Sequence, residues 1–399
     1  MPVPYRLPPR WLSFDPLLLF PALTEAEATL LALSGLPFQR SWAEALQEVQ
    51  FKREVAGTSR IEGADFTERE LEAALLPSPA GLETRSQRQA AAAAATYRWI
   101  AALPPDRPVD GPLLLEIHRR MVTGCDDDHC PPGILRGAGQ NVLFGIPRHR
   151  GVEGGSPCRT AFAGLVEALR TEFPRHPPLL QALALHYHLA AMHPFLDGNG
   201  RTARAAEALL LQRLGLRDVL FIPLSNYYCE EKAGYLRALA ASAEAAHDLT
   251  PFLLFGLRGV AAQCRRLSGE IRGHLARALF RNTMTDLFGR LETPRKRVLG
   301  ERHVRVLDLL LEEGTMALGD LERRSAHLYL LRNPGKALRR DLVHLAALGA
   351  LGVEEREPAE ESRISVRIDW PARITETEFL RRVREFPKAR VHGFLSAEG

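Results

Sequence analysis

The 399-residue chain is poor in cysteine, and its five (Cys125, Cys130, Cys158, Cys229 and Cys264) are odd in number and far apart, which argues against a disulfide framework. It also lacks a long uninterrupted hydrophobic run. The apolar stretch in "MPVPYRLPPRWLSFDPLLLFPAL" is cut by prolines, which suits neither a membrane span nor a secretory leader, so a cytoplasmic protein without a membrane partner is expected. Strand-like alternation is scarce, which leaves little room for a large sheet. Neither GxxxxGK[ST] nor a GxGxxG after a strand is present, and the commonest phosphate-binding loops are thereby excluded. "CDDDHC", Cys125 to Cys130, has no second Cys/His pair at zinc-finger spacing and reads as an acidic surface loop.

What is present is ordinary in amount and uneven in placement. Hydrophobic residues make up 46% and charged residues 25%, as in a soluble globular protein, and the length fits about two or three domains. Net charge is only +4, and the basic residues are almost all Arg. From Arg258 to Arg297 ten basic residues stand against three acids, a run that would attract nucleic acid or an acidic partner, or would form one solvated helix face.

Leu/Ala stretches at helical spacing recur, so the chain reads as mainly α. "SWAEALQEVQFKREVAGTSRIEG" predicts a helix to about Val55 and then a Gly-containing break. "TERELEAALL" follows with Thr67 as its cap and Glu70 in capping-box register, and "RSQRQAAAAAATYRWIAAL" is a further helix. The Gly-rich segment 137–155 predicts a small β-hairpin flap. Past residue 300, three short helices and an acidic hairpin-like stretch resemble a winged helix-turn-helix, with Asn333 at the cap and Pro334 in the first turn of its third helix. The predicted organisation is an N-terminal helical region over 1–103, a catalytic helical bundle over 104–250, a basic helical linker over 251–299 and a winged-helix-like domain over 300–399.

Between two of the predicted helices lies "HPFLDGNGRTAR", His193 to Arg204. Gly198, Asn199 and Gly200 let the backbone turn and aim its N–H groups at an anion just where a helix begins. Arg201 and Arg204, three apart, can reach further phosphate oxygens, Asp197 can hold Mg²⁺, and His193 can take a proton from a hydroxyl. Together these groups specify phosphoryl or nucleotidyl transfer.

The stretch closely resembles the Fic family motif HxFx[DE]GNGRxxR at every fixed position, and the resemblance extends over roughly Leu36 to Ser242. It implies a Fic helical bundle that moves AMP from ATP to a Ser, Thr or Tyr hydroxyl of a target protein, this chain itself included. His193 would be the general base. Asp197 would hold Mg²⁺ between the α- and β-phosphates, Gly198, Asn199 and Gly200 would form the anion hole, Arg201 would meet the β-phosphate and Arg204 the γ-phosphate. Phe195 would anchor the loop from inside. Gly200 stands where Doc-type members carry Lys, which favours nucleotidyl over terminal-phosphate transfer. Lys232 departs from the Arg expected in the helix after the motif.

"TSRIEG", Thr58 to Gly63, matches the inhibitory signature [ST]xxxE[GN] of the subclass with an N-terminal inhibitory helix. The resemblance implies that Glu62 pairs with Arg204 and withholds it from ATP. Tyr227, Tyr228 and Tyr235 are the candidates for an adenine pocket, with Tyr228 the chosen nucleotide-binding residue. Two alternatives stand beside the autoinhibited transferase: a de-AMPylating enzyme in which Glu62 positions a water, and a nucleotide-sensing regulator whose Lys336, Arg339 and Arg340 meet DNA. The acidic wing (Glu354, Glu355, Glu357, Glu360, Glu361) fits protein docking or a homodimer better than DNA.

Overall fold

A computed structural model describes residues 3–37, 39–126, 129–145, 147–214, 222–291, 294–329 and 333–386. The chain forms two compact units, Met1–Gly269 and Glu270–Gly399. The division falls within 251–299, and the N-terminal helices belong to the first unit.

The first unit runs β1 (Val3–Pro4), α1 (Pro16–Ser34), α2 (Arg40–Ile61), α3 (Glu68–Ala74), α4 (Arg85–Ala102), α5 (Gly111–Val122), β2 (Leu143–Phe144), β3 (His149–Arg150), α6 (Ser156–Thr171), α7 (Pro178–Met192), α8 (Asn199–Gln212), α9 (Leu224–Glu230) and α10 (Lys232–Glu244), and then enters α11 (Thr250–Gly289). Helix starts follow local chemistry. Asp15 and Asp110 accept first-turn amides ahead of a proline, and Thr67 and Thr84 form complete capping boxes with Glu70 and Gln87.

Helix α2 corrects the sequence reading, because it does not break near Val55 but runs on to Ile61 and is capped by Glu62. Gly57 is there for proximity, since a Cβ at that position would meet the Ser225 carbonyl oxygen at 2.6 Å. The glycine lets α2 lie directly on the start of α9. Helix α7 is the hub. It is apolar on all sides, and every residue from Leu179 to Met192 except Gln181 is buried, as expected of a helix surrounded by others.

The flap is a three-stranded sheet of order β1-β3-β2. β2 and β3 form the expected hairpin, with Phe144 opposite His149, while the N-terminal β1 pairs in parallel with β3. No alternation in "VPY" signalled that strand.

The second unit begins within α11 and continues through α12 (Pro294–Glu313), β4 (Met316–Ala317), α13 (Leu318–Ser325), α14 (Pro334–Ala347), β5 (Leu351–Glu354), β6 (Arg363–Val366) and α15 (Glu376–Arg384). Its strands pair antiparallel in the order β4-β6-β5 around a core that includes Leu307, Leu338, Leu342, Trp370 and Phe379. Asn333 caps α14 by accepting the Lys336 amide at 3.1 Å. Much of the basic run on α11 is paired: Arg266 with Glu230, Arg281 with Asp308, and Arg290 with both Asp286 and Glu376. Such exposed pairs contribute only about 0–1 kcal/mol each, and they offset the local positive charge. The side chains of Arg295, Lys296 and Arg297 lie outside the described residues.

Candidate active site

Pro194 stops α7, and His193 takes the left-handed conformation at its end with φ 50°. A β-carbon there costs about 1–2 kcal/mol, so the surroundings must hold it. Arg136 does so. It is fully buried, its Nε donates to the His193 carbonyl at 2.7 Å, its backbone N–H donates to the Pro194 carbonyl at 2.9 Å, and its Nη1 donates to Gln140 O at 2.5 Å. The Phe144 ring stacks on the His193 imidazole at 3.6 Å and 7°. The flap and the motif loop are thereby tied together by one arginine and one aromatic pair.

His193 Nδ1 lies 2.5 Å from the Ala190 carbonyl, which assigns its proton to Nδ1 and leaves the Nε2 lone pair as the acceptor. Desolvation pushes its pKa down to about 4, against a smaller opposing effect of the Ala190 carbonyl and the Glu62 charge. A lowered pKa keeps the imidazole neutral and proton-accepting at neutral pH, a state lost only as pH falls through that value. The acidic limb of kcat/KM, which reports the free enzyme, is therefore expected near about pH 4 and not near the ordinary imidazole value of 6.5. A pH profile of kcat/KM measures it, and a limb at 6.5 would refute the assignment.

At the start of α8 the backbone turns through Gly198 at φ 72°, where a Cβ would meet Val122 Cγ1 at 2.6 Å. The first-turn amides of α8 have no acceptor within the helix and face the site. The Asn199 side chain does not join them. It braces the loop, accepting from Phe195 N and donating to Phe195 O at 2.9 Å each, and Phe195 is fully buried as expected.

The Glu62 carboxylate sits over Gly200, in the space that any side chain there would fill. Its Oε1 accepts from Arg204 Nη2 at 2.6 Å. Thr58 completes the grip, since Arg204 Nε donates to Thr58 Oγ1 at 2.9 Å and Nη2 donates to Thr58 O at 3.1 Å. Burial alone would raise the Glu62 pKa, yet the charge and hydrogen bond of Arg204 hold it below the usual carboxylate range. The guanidinium of Arg204 is correspondingly held charged. Arg204 thus holds Thr58 and Glu62 across 146 and 142 residues of chain.

Arg201 is also held by a carboxylate. Its Nη2 donates to Asp126 Oδ2 at 2.6 Å, and its Nη1 to the Met121 carbonyl at 3.3 Å. Asp126 belongs to the segment read as an acidic surface loop, and it is buried because it lies between Arg201, Gln89 and Arg85. Asp197 accepts the Gly198 amide at 2.6 Å through Oδ1, while its Oδ2 faces Arg85 Nη2 at 3.0 Å and His129 Nε2 at 3.1 Å. Burial would raise the Asp197 pKa, but the Gly198 amide, His129 and Arg201 hold it down, so it is ionised. Asp126, His129 and Asp197 have donor atoms within 4.8 Å of one another.

His118 fixes the loop from beneath. Gly133 N donates to its Nδ1 at 2.9 Å, so its Nε2 donates to the Asp197 carbonyl at 3.1 Å, and its ring stacks on Phe195 at 3.6 Å. Arg85, His118, Asp126 and Arg136 were all missed by sequence reasoning, because each reaches the motif from a distant segment and none belongs to a readable pattern.

Tyr228 is a correction. It is fully buried, its hydroxyl donates to Glu207 at 2.8 Å and its ring stacks on Tyr235, so it supports α8 and presents no surface to a nucleotide. Tyr235 is buried too, with its hydroxyl bonded to His186 at 2.9 Å, and Tyr227 packs on Phe255. The apolar cavity beside His193 is lined instead by Tyr5, Phe144, His149, Leu236, Leu239 and His247, among others.

Residues 108–211, which carry this helix–turn–helix junction, match the model of the Fic/DOC family. The chain contains a Fic/DOC domain. It is similar to the protein adenylyltransferase fic-1 of Caenorhabditis elegans, at 34% identity over 95 residues, 24% of this chain and 17% of the relative. It is also similar to the protein adenylyltransferase Fic of Drosophila grimshawi, at 40% identity over 80 residues, 20% of this chain and 15% of the relative. The chain thus spans less than a fifth of the curated relatives it matches. Among solved structures it resembles a Fic family protein from Desulfovibrio desulfuricans G20, with a TM-score of 0.55 and 19% identity over 92% of this chain and 98% of that one. Fic-1 from C. elegans gives a TM-score of 0.50 at 22% identity, over 63% of this chain and 71% of that one. At these identities the structures establish likeness of fold.

Proposed function

We propose that the protein is an adenylyltransferase that moves AMP from ATP to a hydroxyl of a target protein and is restrained by its own Glu62. The observation that carries this reading is the seat of the Glu62 carboxylate, over Gly200 and on Arg204, at the helix N-terminus that the motif prepares for phosphate. In the reaction His193 Nε2 takes the proton of the target hydroxyl as that oxygen attacks the α-phosphorus. The bond to the bridging oxygen breaks, and pyrophosphate leaves. The α8 amides and Arg204 stabilise the charge that develops on the phosphate oxygens, provided Glu62 has moved aside.

Asp197 fits a divalent ion by its chemistry: an ionised, hard oxygen donor whose Oδ2 already faces a cation, Arg85. Asp197 would hold Mg²⁺, which supplies charge neutralisation for the phosphates of ATP. Arg85 is half exposed, and an ion bound there would take its place on Asp197 while its Nε keeps Asp126. The cavity behind Phe144 is the proposed seat of the base, replacing the tyrosines suggested by proximity in sequence.

Intact mass after incubation with Mg²⁺ and each nucleoside triphosphate in turn tests the reading. The expected product is the protein, or an added target, heavier by one AMP with ATP alone. A gain of phosphate, or no gain under conditions that release Glu62, would sink it. Removal of AMP by the same site is a second reading, favoured by the influence of the Glu62 charge on His193. Release of AMP from an adenylylated target, lost on replacing Glu62, would select it. For the DNA-binding reading, Arg339 is already engaged by Glu322 at 2.7 Å, which leaves less charge for a duplex.

A further inference from the structure

The second unit buries three ligand-type side chains that no part of the transferase chemistry uses. His303 on α12 is fully buried, and neither of its ring nitrogens has a hydrogen-bond partner among the described residues. Asp341 and His344 stand three apart on one face of α14, both buried, and Nδ1 of His344 is likewise unpartnered. One donor atom from each residue lies within 4.8 Å of the other two. His303 Nε2 is 3.8 Å from Asp341 Oδ1, and the two imidazoles meet at 5.6 Å and 72°.

Buried imidazole nitrogens left without a partner beside a carboxylate carry an unmet desolvation cost. We propose that His303, Asp341 and His344 form a binding site for a transition-metal dication of the Zn²⁺ class, joining α12 to α14. The donors are two neutral nitrogens and one carboxylate oxygen, the borderline set that favours zinc over magnesium or calcium. The pKa of His303 is pushed down to about 4 and that of His344 is lowered, in both cases mainly by burial, so both rings are neutral and able to ligate. Bonds of roughly 2.0–2.2 Å to a tetrahedral ion need donors about 3.4 Å apart, a small closure from the separations seen.

The carboxylate is already oriented. Tyr329 donates its hydroxyl to Asp341 Oδ2 at 3.0 Å, the kind of outer contact that fixes a ligand's direction. Arg302 now neutralises Asp341, with Nε 3.1 Å from Oδ2 and Nη2 3.3 Å from Oδ1. A dication would take over that role. The Arg302 side chain, partly exposed at the rim, would turn outward together with the more exposed Arg340. Phe386 stacks on His344 at 4.3 Å and covers the ring from the other side.

The test uses the untagged full chain in a His129→Ala/Asp197→Ala background, so that the cluster in the first unit does not compete, stripped with chelator and titrated with Co²⁺. The expected result is one equivalent bound with the intense visible absorption of a tetrahedral site, displaced by Zn²⁺ and lost in His303→Gln and in His344→Gln. Zn²⁺ should also raise the melting temperature of the background protein and leave that of His303→Gln unchanged. Weak octahedral absorption, no bound cobalt, or cobalt uptake by both glutamine variants equal to that of the background protein would overturn the proposal. If the variants do not fold, X-ray absorption on the zinc-loaded background protein decides: two imidazole ligands support the site, and their absence refutes it.

Discussion

Replacing Glu62 with Gly is expected to raise AMP incorporation from labelled ATP by roughly one to two orders of magnitude. The estimate follows from the about 1.5–3 kcal/mol of a hydrogen bond between charged groups, at about 1.4 kcal/mol per factor of ten. On the proposed reading the γ-phosphate would have to compete for Arg204 with a carboxylate bonded at 2.6 Å, and that carboxylate also fills the space over Gly200. Deleting it removes both obstacles. Arg204 keeps Thr58 Oγ1 and Thr58 O as acceptors, so the variant should fold, with a lower melting temperature that ATP restores more strongly than in the parent. Unchanged labelling in a folded Glu62→Gly protein would end the autoinhibition reading.

In that activated background, His193→Ala should cut the rate by about 10²–10⁴-fold, the usual worth of a positioned general base. The backbone of residue 193 is held through its carbonyl by Arg136 and does not depend on the imidazole, so the α8 amides and both arginines stay in place. Nucleotide affinity measured by calorimetry should therefore be largely kept while turnover is lost. Joint loss of binding and turnover would mean that His193 builds the pocket instead of moving the proton.

The parts of the site that were legible in the sequence are those encoded by close spacing. Twelve residues specify the base, the turn and the two arginines, because a helix end, a glycine turn and a helix start are local events. The Thr58 and Glu62 signature was legible for the same reason. Its pairing with Arg204 was available only through the family resemblance, since that contact crosses more than 140 residues. Asp126 was read as surface because an acidic run usually is, and only the fold reveals that Arg201 buries it. Arg136 shows the same limit: a buried guanidinium satisfied by carbonyls leaves no pattern of partner residues to find. Gly57 was read as a helix break from its intrinsic cost, and tertiary packing overrode that cost. The helices were legible through capping at Thr67 and Asn333 and through the alanine run of α4, whereas the two-residue β1 is defined by its partner strand alone.

The close approach at Gly57 also bears on how the proposed restraint could open. With the α2 backbone lying directly on Ser225, and Glu54 further along the helix accepting the Ser225 amide at 2.9 Å, α2 cannot slide or roll as a rigid rod without losing both contacts. Release of Glu62, as proposed, would therefore be confined to the final turn, which ends at Gly63 with φ 89°. Motion of a side chain and one helical turn belongs to the nanosecond-to-microsecond range, against microseconds to milliseconds for collective helix shifts. If Glu62 is the proposed restraint, its release would then be a local event at one helix end and not a collective shift of α2.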